Sequence, residues 1–269
     1  MNVVERFESD SPLVGMVHLP PLPGSPRFAG DRERLRGRAL ADAFALVEGG
    51  FDGLLVENFG DAPYYPEDVP KSTVAEMTAI VRELGIGVDC PYGVNVLRND
   101  AEAALSVAAA GGGSFVRVNV HTGSRVTDQG ILEGTAHETL RVRERLGTDV
   151  SILADVAVKH SAPVGERDIA AVAEETITRG LADGLVVSGP ATGEPANADD
   201  LKTVLDRRDD VDASVPVFVG SGVTAENVSA LLDIADGVIV GTALKKGGET
   251  TAPVDPDRVE AFVEAARSE

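Results

Sequence analysis

Two segments near the end of the chain decide the fold class: VPVFVGSGVT at residues 215–224 and DGVIVGTA at residues 236–243. Each is a short run of β-branched residues that ends at once in glycine and hydroxyl residues. Apolar runs without polar alternation are typical of parallel strands that are buried on both faces. Because a segment of helical character separates the two runs, they indicate a repeating strand–helix unit.

The same unit recurs along the whole chain. Apolar runs predict eight strands at residues 13–19, 53–57, 87–96 (in part), 115–118, 150–154, 184–188, 215–220 and 237–240. Amphipathic segments predict eight helices at residues 35–48, 72–84, 101–110, 138–146, 168–179, 199–207, 225–232 and 256–266. N-caps are expected at Ser72, Asp100, Thr224 and Asp255, and helix-ending glycines at Gly49, Gly85, Gly147 and Gly180.

Eight strand–helix units without a composition break predict one parallel sheet with helices outside it. A length of 269 residues favours closure of that sheet into a (β/α)8 barrel, the α/β class known as the TIM barrel. An open, doubly wound sheet is the structural alternative. We expect residues 1–269 to form a single barrel domain.

Acidic residues outnumber basic ones by 44 to 24, which gives a formal net charge of −20. The excess is spread along the chain and predicts an acidic surface. Such a surface repels nucleic acid and anionic membranes, because binding to either requires clustered Lys and Arg. Lys is scarce beside Arg, and the combination favours a halophilic source, in which the charge serves solubility.

The single cysteine, Cys90, excludes an internal disulfide and a cysteine-based metal cluster. The first ten residues are acidic and lack the layout of a signal peptide. No stretch approaches the roughly 18 uninterrupted apolar residues that a membrane span needs. We therefore expect a cytoplasmic protein without a membrane span. A homo-oligomer is compatible with a barrel of this type.

Polar side chains stand at the predicted carboxyl ends of the strands. The active sites of (β/α)8 enzymes lie at this end of the barrel. Each buried polar group needs a partner or water, so scaffolding alone does not account for so many of them. The candidates in the first six units are His18, Glu57, Asn58, Asp61, Asn95, Arg98, Arg117, Asn119, Asp155, Lys159, His160, Ser188 and Gly189.

The last two strands are followed by the strongest local signal. Glycines let a backbone approach an anion closely, and successive N–H groups with a helix N-terminus supply positive potential. Barrel enzymes commonly hold a substrate phosphate at this place. The predicted phosphate site consists of Gly220, Ser221, Gly222, Gly241, Thr242 and Ala243. Lys245 and Lys246 add charge nearby, unless they are simply solvated.

Glu57 and Asp155 are the candidates for general acid and base. With His160 they could instead ligate a divalent cation, in which case a hydrolase is favoured. Carboxylates at strand ends also cap loops, which is the structural alternative. No other cofactor is indicated.

Four histidines occur in the chain. His18 follows an apolar strand towards the barrel mouth, so it is either a catalytic group or a core histidine with satisfied hydrogen bonds. His121 and His137 lie before and at the start of the fourth predicted helix. We expect both of these at the surface.

Lys159 stands out because Lys is so rare here. It could form a Schiff base with a carbonyl substrate if burial lowers its pKa, or it could pair with a substrate anion as a cation. The role of Lys159 as a cation is the favoured one.

Arg117 and Asn119 alternate along the fourth strand, so both can face the barrel interior, where Arg117 suits an anionic ligand.

Several ordered motifs resemble one family. They are GMVHLPPLPG at residues 15–24, ENFGD at 57–61, GVNVLRND at 93–100, DVAVKH at 155–160, and the segments at 188–189, 220–223 and 241–242. Together they resemble the BtpA-like proteins over nearly the whole chain. The resemblance implies a barrel of the ribulose-phosphate-binding type, a class that includes isomerases and synthases of histidine and tryptophan biosynthesis. It also implies kinship with a cyanobacterial protein associated with photosystem I biogenesis.

The leading hypothesis is an enzyme that acts on a small phosphorylated metabolite, as a sugar-phosphate isomerase or an aldol-type lyase. Two alternatives come from other classes. One is a non-catalytic assembly or biogenesis factor that retains the barrel, which predicts an exposed apolar patch on the outer helices. The other is a sensor that binds a phosphometabolite without converting it.

Overall fold

The computed structural model describes residues 3–189 and 191–268. The described residues form the strands β1 (Leu13–His18), β2 (Gly53–Glu57), β3 (Tyr92–Asn95), β4 (Phe115–Val118), β5 (Ser124–Thr127), β6 (Gly130–Glu133), β7 (Ser151–Ala157), β8 (Ala162–Pro163), β9 (Gly184–Ser188), β10 (Val217–Gly220) and β11 (Gly237–Val240). Eight of them make a closed parallel barrel in the order β1-β2-β3-β4-β7-β9-β10-β11, with β11 pairing back to β1. The predicted barrel is confirmed, and the open sheet is excluded.

Helices follow the barrel strands and pack outside them. They are α1 (Arg32–Glu48), α2 (Lys71–Gly87), α3 (Ala101–Gly111), α4 (Ala136–Leu146), α5 (Ile169–Thr178), α6 (Ala198–Asp212), α7 (Val228–Leu232) and α8 (Pro256–Arg267). The Asp100 carboxylate caps α3 by accepting from the N–H of Ala103 at 2.8 Å, as predicted. Gly147 ends α4 in the left-handed region with φ 61°, also as predicted.

Several predicted helix boundaries are wrong, among them both ends of α2 and the start of α7. Helix α2 begins at Lys71, one residue before the expected cap Ser72, and it continues through Gly85. A Cβ at Gly85 would lie 1.9 Å from the Tyr92 hydroxyl, so this glycine makes room for a side chain of β3 and does not end the helix. Helix α7 begins at Val228 and not at 225.

The late start of α7 has a local cause. The Asn227 side chain accepts from the N–H of Thr224 at 2.8 Å and donates to the carbonyl of Gly222 at 2.9 Å. These bonds hold residues 222–227 in a turn, so Asn227 and not Thr224 precedes the helix. An exposed five-residue helix contributes little dipole to the loop before it.

Aromatic side chains close the end of the barrel opposite the site. Phe7 enters from the N-terminal segment and lies 5.8 Å from Phe115 and 6.4 Å from Phe218, measured between ring centroids. A Cβ at Gly53 would meet the Phe7 ring at 2.4 Å, so glycine at the start of β2 admits it. The interior at this end is therefore a packed core, and a ligand can enter only from the carboxyl ends of the strands.

The segment expected to be a long loop before α4 is partly ordered sheet. Strands β5 and β6 form an antiparallel hairpin, and β8 pairs with the other edge of β5. This three-stranded sheet grows from the loops after β4 and β7. In the described part of the chain, no helix has the length and apolar character that crossing a bilayer requires.

Candidate functional site

The strand register brings four predicted site residues into one row. His18 pairs with Glu57, Glu57 with Asn95, and Asn95 with Arg117, each on the neighbouring strand. Because side chains alternate across a strand, the members of such a row point to the same face of the sheet. All four are buried. The predicted polar mouth is therefore a continuous layer at the top of the barrel interior.

Asp155 is the centre of a hydrogen-bonded network. Arg117 donates from Nε to Oδ1 at 2.8 Å and from Nη2 to Oδ2 at 3.0 Å, and Asn119 donates from Nδ2 to Oδ2 at 2.9 Å. Burial alone would lower the pKa of Arg117, but the Asp155 carboxylate outweighs it and raises that pKa. Ser188 accepts a further bond from Arg117 at 3.1 Å. Asp155 thus positions Arg117, with both of its oxygens engaged.

Glu57 differs from Asp155 in having a free oxygen. Its side chain is 1% exposed, and Oε1 has no hydrogen-bond partner among the described residues. The nearest basic group is Nε2 of His18, at 3.8 Å from Oε1. A buried carboxylate oxygen without a partner is costly, and it is the kind of group that takes up a proton or accepts a bond from a ligand.

His18 packs its ring on Phe59, with 4.8 Å between the centroids. Burial, followed by the cationic charges of Lys245 and Lys159, holds the pKa of His18 well below its ordinary value of 6.5. The imidazole is therefore neutral at neutral pH. A neutral imidazole beside a carboxylate can donate a hydrogen bond to a reacting oxygen or accept a proton from it.

Lys159 is buried and forms no ion pair with any described carboxylate. Burial lowers its pKa below the ordinary value of 10.5, although Glu57 and Asp155 act in the opposite direction. Its side chain lines two adjoining cavities. An unpaired cation at this position fits either function predicted for it, as a partner for an anion or as a nucleophilic amine.

The first of these cavities contains the predicted phosphate loops. Ser221, Gly222, Gly241, Thr242 and Ala243 line it together with His18, Arg117 and Lys159. Backbone N–H groups of residues 222, 223, 242 and 243 donate to no other described residue. Since α7 is short and begins only at residue 228, no long helix starts at this loop, and these N–H groups are the donors that the two loops offer.

The remaining predicted binding residues lie close by but do not line this cavity. Gly220 lies beneath Arg117, and Asn95 donates to the carbonyl of Arg117 at 3.0 Å. Gly189 packs on the backbone of Glu194, where a Cβ would come within 2.0 Å of a carbonyl oxygen. Lys245 is fully buried, donates to Asp42 and to the carbonyl of Met16, and does not line the cavity.

Glu57, Asp155 and His160 do not form the predicted metal site. Among residues 3–189 and 191–268, no group of three or more His, Cys, Asp or Glu side chains is arranged to hold a metal ion. The oxygens of Asp155 are occupied by Arg117 and Asn119, and the His160 ring bonds Thr192 at 3.0 Å. These residues do not fit a divalent cation.

The family model that matches residues 9–268 is that of the BtpA family. The chain belongs to the BtpA family. It is 46% identical to the photosystem I biogenesis protein BtpA of Synechocystis over 98% of this chain and 91% of that protein. This agreement confirms the resemblance that the ordered motifs indicated.

Solved structures share the fold of this BtpA-family chain. Tryptophan synthase of Mycobacterium tuberculosis superposes with a TM-score of 0.60 at 19% identity, covering 97% of this chain and 94% of the other. A phosphoribosylanthranilate isomerase of Thermotoga maritima superposes with a TM-score of 0.55 at 14% identity, covering 95% and 98%. At these identities the likeness shows the fold alone.

The second cavity of the BtpA-family barrel includes residues that sequence reasoning did not assign. It is lined by Glu57, Phe59, Tyr64, Leu97, Arg98, Asp128, Lys159, His160 and Thr192. Arg98 was noted at a strand end without a role. Tyr64 and Thr192 come from the long loops after β2 and β9. The length of those loops is the signal that could have found them, because loops at this end of a barrel form its binding site.

His121 corrects the expectation of two surface histidines in this BtpA-family chain. His137 is exposed, but His121 is 1% exposed, and its Nε2 lies 2.9 Å from the carbonyl oxygen of Gly180. Burial lowers the pKa of His121 below 6.5. The loop after β4 turns inward because the three-stranded sheet covers it, a contact that local sequence does not reveal.

The buried histidines predict a pH dependence of stability. His18 and His121 have folded pKa values below 6.5, so the unfolded chain takes up protons first as the pH falls. The stability that each neutral histidine contributes is fully present above about pH 6.5. Below that pH it declines by up to about 1.4 kcal/mol per pH unit for each group. Chemical denaturation at about pH 8 and about pH 5.5 should show a smaller loss for His121→Gln than for the wild type.

The exposed His137 provides the control for this experiment. His137→Gln should lose as much stability as the wild type over the same pH interval. Equal losses in all three proteins would contradict the assignment of His121 as a buried neutral group.

Proposed function

We propose that the chain is an enzyme that acts on a small phosphorylated metabolite, as a sugar-phosphate isomerase or an aldol-type lyase. One observation carries the proposal. A single cavity is lined both by two glycine-rich loops with unused N–H groups and by Lys159, a buried cation without a carboxylate partner. Such a combination suits an anion, because its charge is met by N–H dipoles and by a buried ammonium group.

The phosphate end of the ligand is assigned to residues 221–222 and 241–243, which line the first cavity. The solved structures of like fold include a thiamine phosphate pyrophosphorylase and phosphoribosylanthranilate isomerases, whose names refer to phosphorylated compounds. The last two loops of a (β/α)8 barrel are a frequent phosphate site. Both points support the assignment.

The reacting end of the ligand lies against Glu57, His18 and Lys159. Glu57 would take a proton from the carbon or hydroxyl beside the substrate carbonyl, since its Oε1 is free. Lys159 would stabilise the negative charge that develops on the carbonyl oxygen, or form a Schiff base with that carbonyl. His18, neutral and next to Glu57, would relay the proton. Asp155 holds Arg117 in place and is not the base.

A second candidate function is a biogenesis factor without catalysis. It is favoured by the 46% identity to a photosystem I biogenesis protein. The two functions differ in whether the barrel mouth must bind a ligand, because only the enzyme or a metabolite sensor requires one there.

Our expectations of a single domain, a cytoplasmic location, a halophilic source with an acidic surface and a homo-oligomer stay predictions.

The phosphate assignment is tested by a charge at Thr242. Thr242→Asp should abolish the thermal shift that ribose 5-phosphate or glucose 6-phosphate produces, because a carboxylate beside a phosphate costs several kcal/mol, about a 100-fold loss of affinity or more. Thr242→Asn has nearly the same shape without the charge and should retain most of the shift. The screen is run in molar KCl, with and without Mg²⁺. Equal shifts in both variants would refute the assignment.

Thr242 is preferred to the loop glycines for this test. A Cβ at Gly222 would lie 2.2 Å from Pro195 and 2.3 Å from Glu194, both backbone contacts, and Gly222 has φ +68°. Any side chain there would deform the loop, so the effect of the added charge could not be separated from the effect of the changed shape. Thr242 already carries a side chain, which bonds Thr250 at 2.9 Å.

A further inference from the structure

The second cavity contains a buried arginine that no carboxylate neutralises. Arg98 is 3% exposed, and its Nη2 donates to the backbone carbonyl of Lys159 at 2.8 Å. Its Nε has no hydrogen-bond partner among the described residues, and none of their carboxylates forms an ion pair with it. Arginine stays protonated in proteins, so this guanidinium is a permanent buried cation.

The charges of the barrel mouth do not balance. Three basic side chains, Arg98, Arg117 and Lys159, are buried there with two carboxyl groups, Glu57 and Asp155. The bidentate pair of Arg117 and Asp155 is self-contained. Arg98 and Lys159 are left with Glu57, because Asp128 lines the same cavity but is exposed. Among the buried side chains, one basic group therefore exceeds the acids. Burying an excess cation is costly, because it loses its hydration, unless an anionic ligand compensates for it.

The position of the excess charge is separate from the phosphate loops. Arg98 lines only the second cavity, whereas Lys159 and Thr192 line both. A ligand whose phosphate lies on the loops can therefore extend past Lys159 into the cavity that Arg98 lines. Glu57 lines that cavity as well, and its unpartnered Oε1 can accept a bond from a hydroxyl group.

We propose that the ligand is anionic at both ends, with a phosphate on the loops after β10 and β11 and a second anionic group on Arg98. The second group is a carboxylate or another phosphate, because both accept two parallel bonds from a guanidinium. Hydroxyl-bearing carbons between the two ends face Glu57. The substrate class is thus a phosphorylated sugar acid or a sugar bisphosphate. This inference rests on the proposed phosphate site.

Matched pairs of probes test the proposal on the wild-type protein. Isothermal titration in molar KCl compares 6-phosphogluconate with glucitol 6-phosphate, which carries a CH₂OH group in place of the carboxylate. It also compares ribulose 1,5-bisphosphate with ribulose 5-phosphate. We expect the doubly anionic member of at least one pair to bind tenfold or more tightly. Preference in the first pair identifies a carboxylate site, and preference in the second identifies a phosphate site.

Arg98→Met tests which residue provides the preference. It should reduce the ratio of affinities within the preferred pair to near one, while the singly phosphorylated probe keeps its affinity. Arg207→Met, on the outer helix α6, is the matched control and should retain the ratio. If Arg98→Met does not fold, the comparison of the probe pairs on the wild-type protein still shows whether a second anionic site exists.

The outcomes separate this inference from the proposed function. Equal affinity within both pairs would overturn the second anionic site while leaving the phosphate site intact. If Arg98→Met still prefers the doubly anionic probe as strongly as the wild type does, the assignment of the second anionic site to Arg98 is also overturned. Binding of none of the four probes would instead contradict the proposed function itself.

Discussion

Asp155→Asn is expected to lower the free energy of unfolding by about 3–5 kcal/mol, because it leaves Arg117 as an uncompensated buried charge. Arg117 is 3% exposed, and the Asp155 side chain is fully buried. Both carboxylate oxygens accept bonds, from Arg117 and from Asn119. An amide has one oxygen, so at least one donor would face another donor. Urea denaturation at about pH 7.5 measures the loss.

Two comparisons make this result specific. Glu174→Gln breaks the ion pair with Arg207, in which both side chains are more than a third exposed, and it should change the free energy of unfolding little, because solvent screens the pair. The double variant Arg117→Met with Asp155→Leu should be more stable than Asp155→Leu alone, because it removes both charges. If Asp155→Asn costs no more than Glu174→Gln, the network is not the electrostatic centre of the barrel mouth.

Lys159→Met is expected to act in opposite directions on stability and on binding. Removing an unpaired buried cation should raise the free energy of unfolding by about 1–2 kcal/mol, since binding sites are kept at a cost in stability. The same change should weaken the binding of ribose 5-phosphate by about 100-fold, because a buried charge partner of the phosphate is lost. Urea denaturation and calorimetric titration measure the two effects.

Lys202→Met is the control, because Lys202 is exposed on α6, and it should change neither quantity. A loss of stability in Lys159→Met would show that the ammonium is already paired in the free protein.

Borohydride reduction in the presence of a carbonyl substrate separates the two chemical roles of Lys159. An adduct on Lys159 identifies a Schiff base, and retention of activity in Lys159→Arg identifies a cation.

Much of the barrel mouth could be predicted because the chemistry of a barrel depends on strand order and register. The sequence places His18, Glu57 and Arg117 at the ends of the first, second and fourth strands, and the strand register joins them with Asn95 of the third strand into one row. Helix boundaries were less accurate. Gly85 was interpreted as a helix end, although it is required by the hydroxyl of Tyr92, which approaches from another element.

The errors at the site have the same physical origin. Asp155 and Glu57 are both carboxylates at strand ends, so sequence treats them alike. The structure separates them, because Asp155 is saturated by Arg117 and Asn119 while Glu57 retains a free oxygen. Likewise Lys245 directly follows a loop that the sequence predicts to bind phosphate, yet it pairs with Asp42 of α1.

The sequence by itself determined the barrel, the family and the place of the loops after β10 and β11. The signals for these features are the spacing of apolar residues, the positions of glycines and the order of motifs, all of which can be recognised in short stretches of sequence. Tertiary structure alone decided which polar groups are left without partners. That outcome depends on contacts between residues far apart in the chain, such as Arg98 with the carbonyl of Lys159 and Lys245 with Asp42. In our proposal, the loops that decided the fold bind one end of a ligand, and Glu57, Arg98 and Lys159 bind the other.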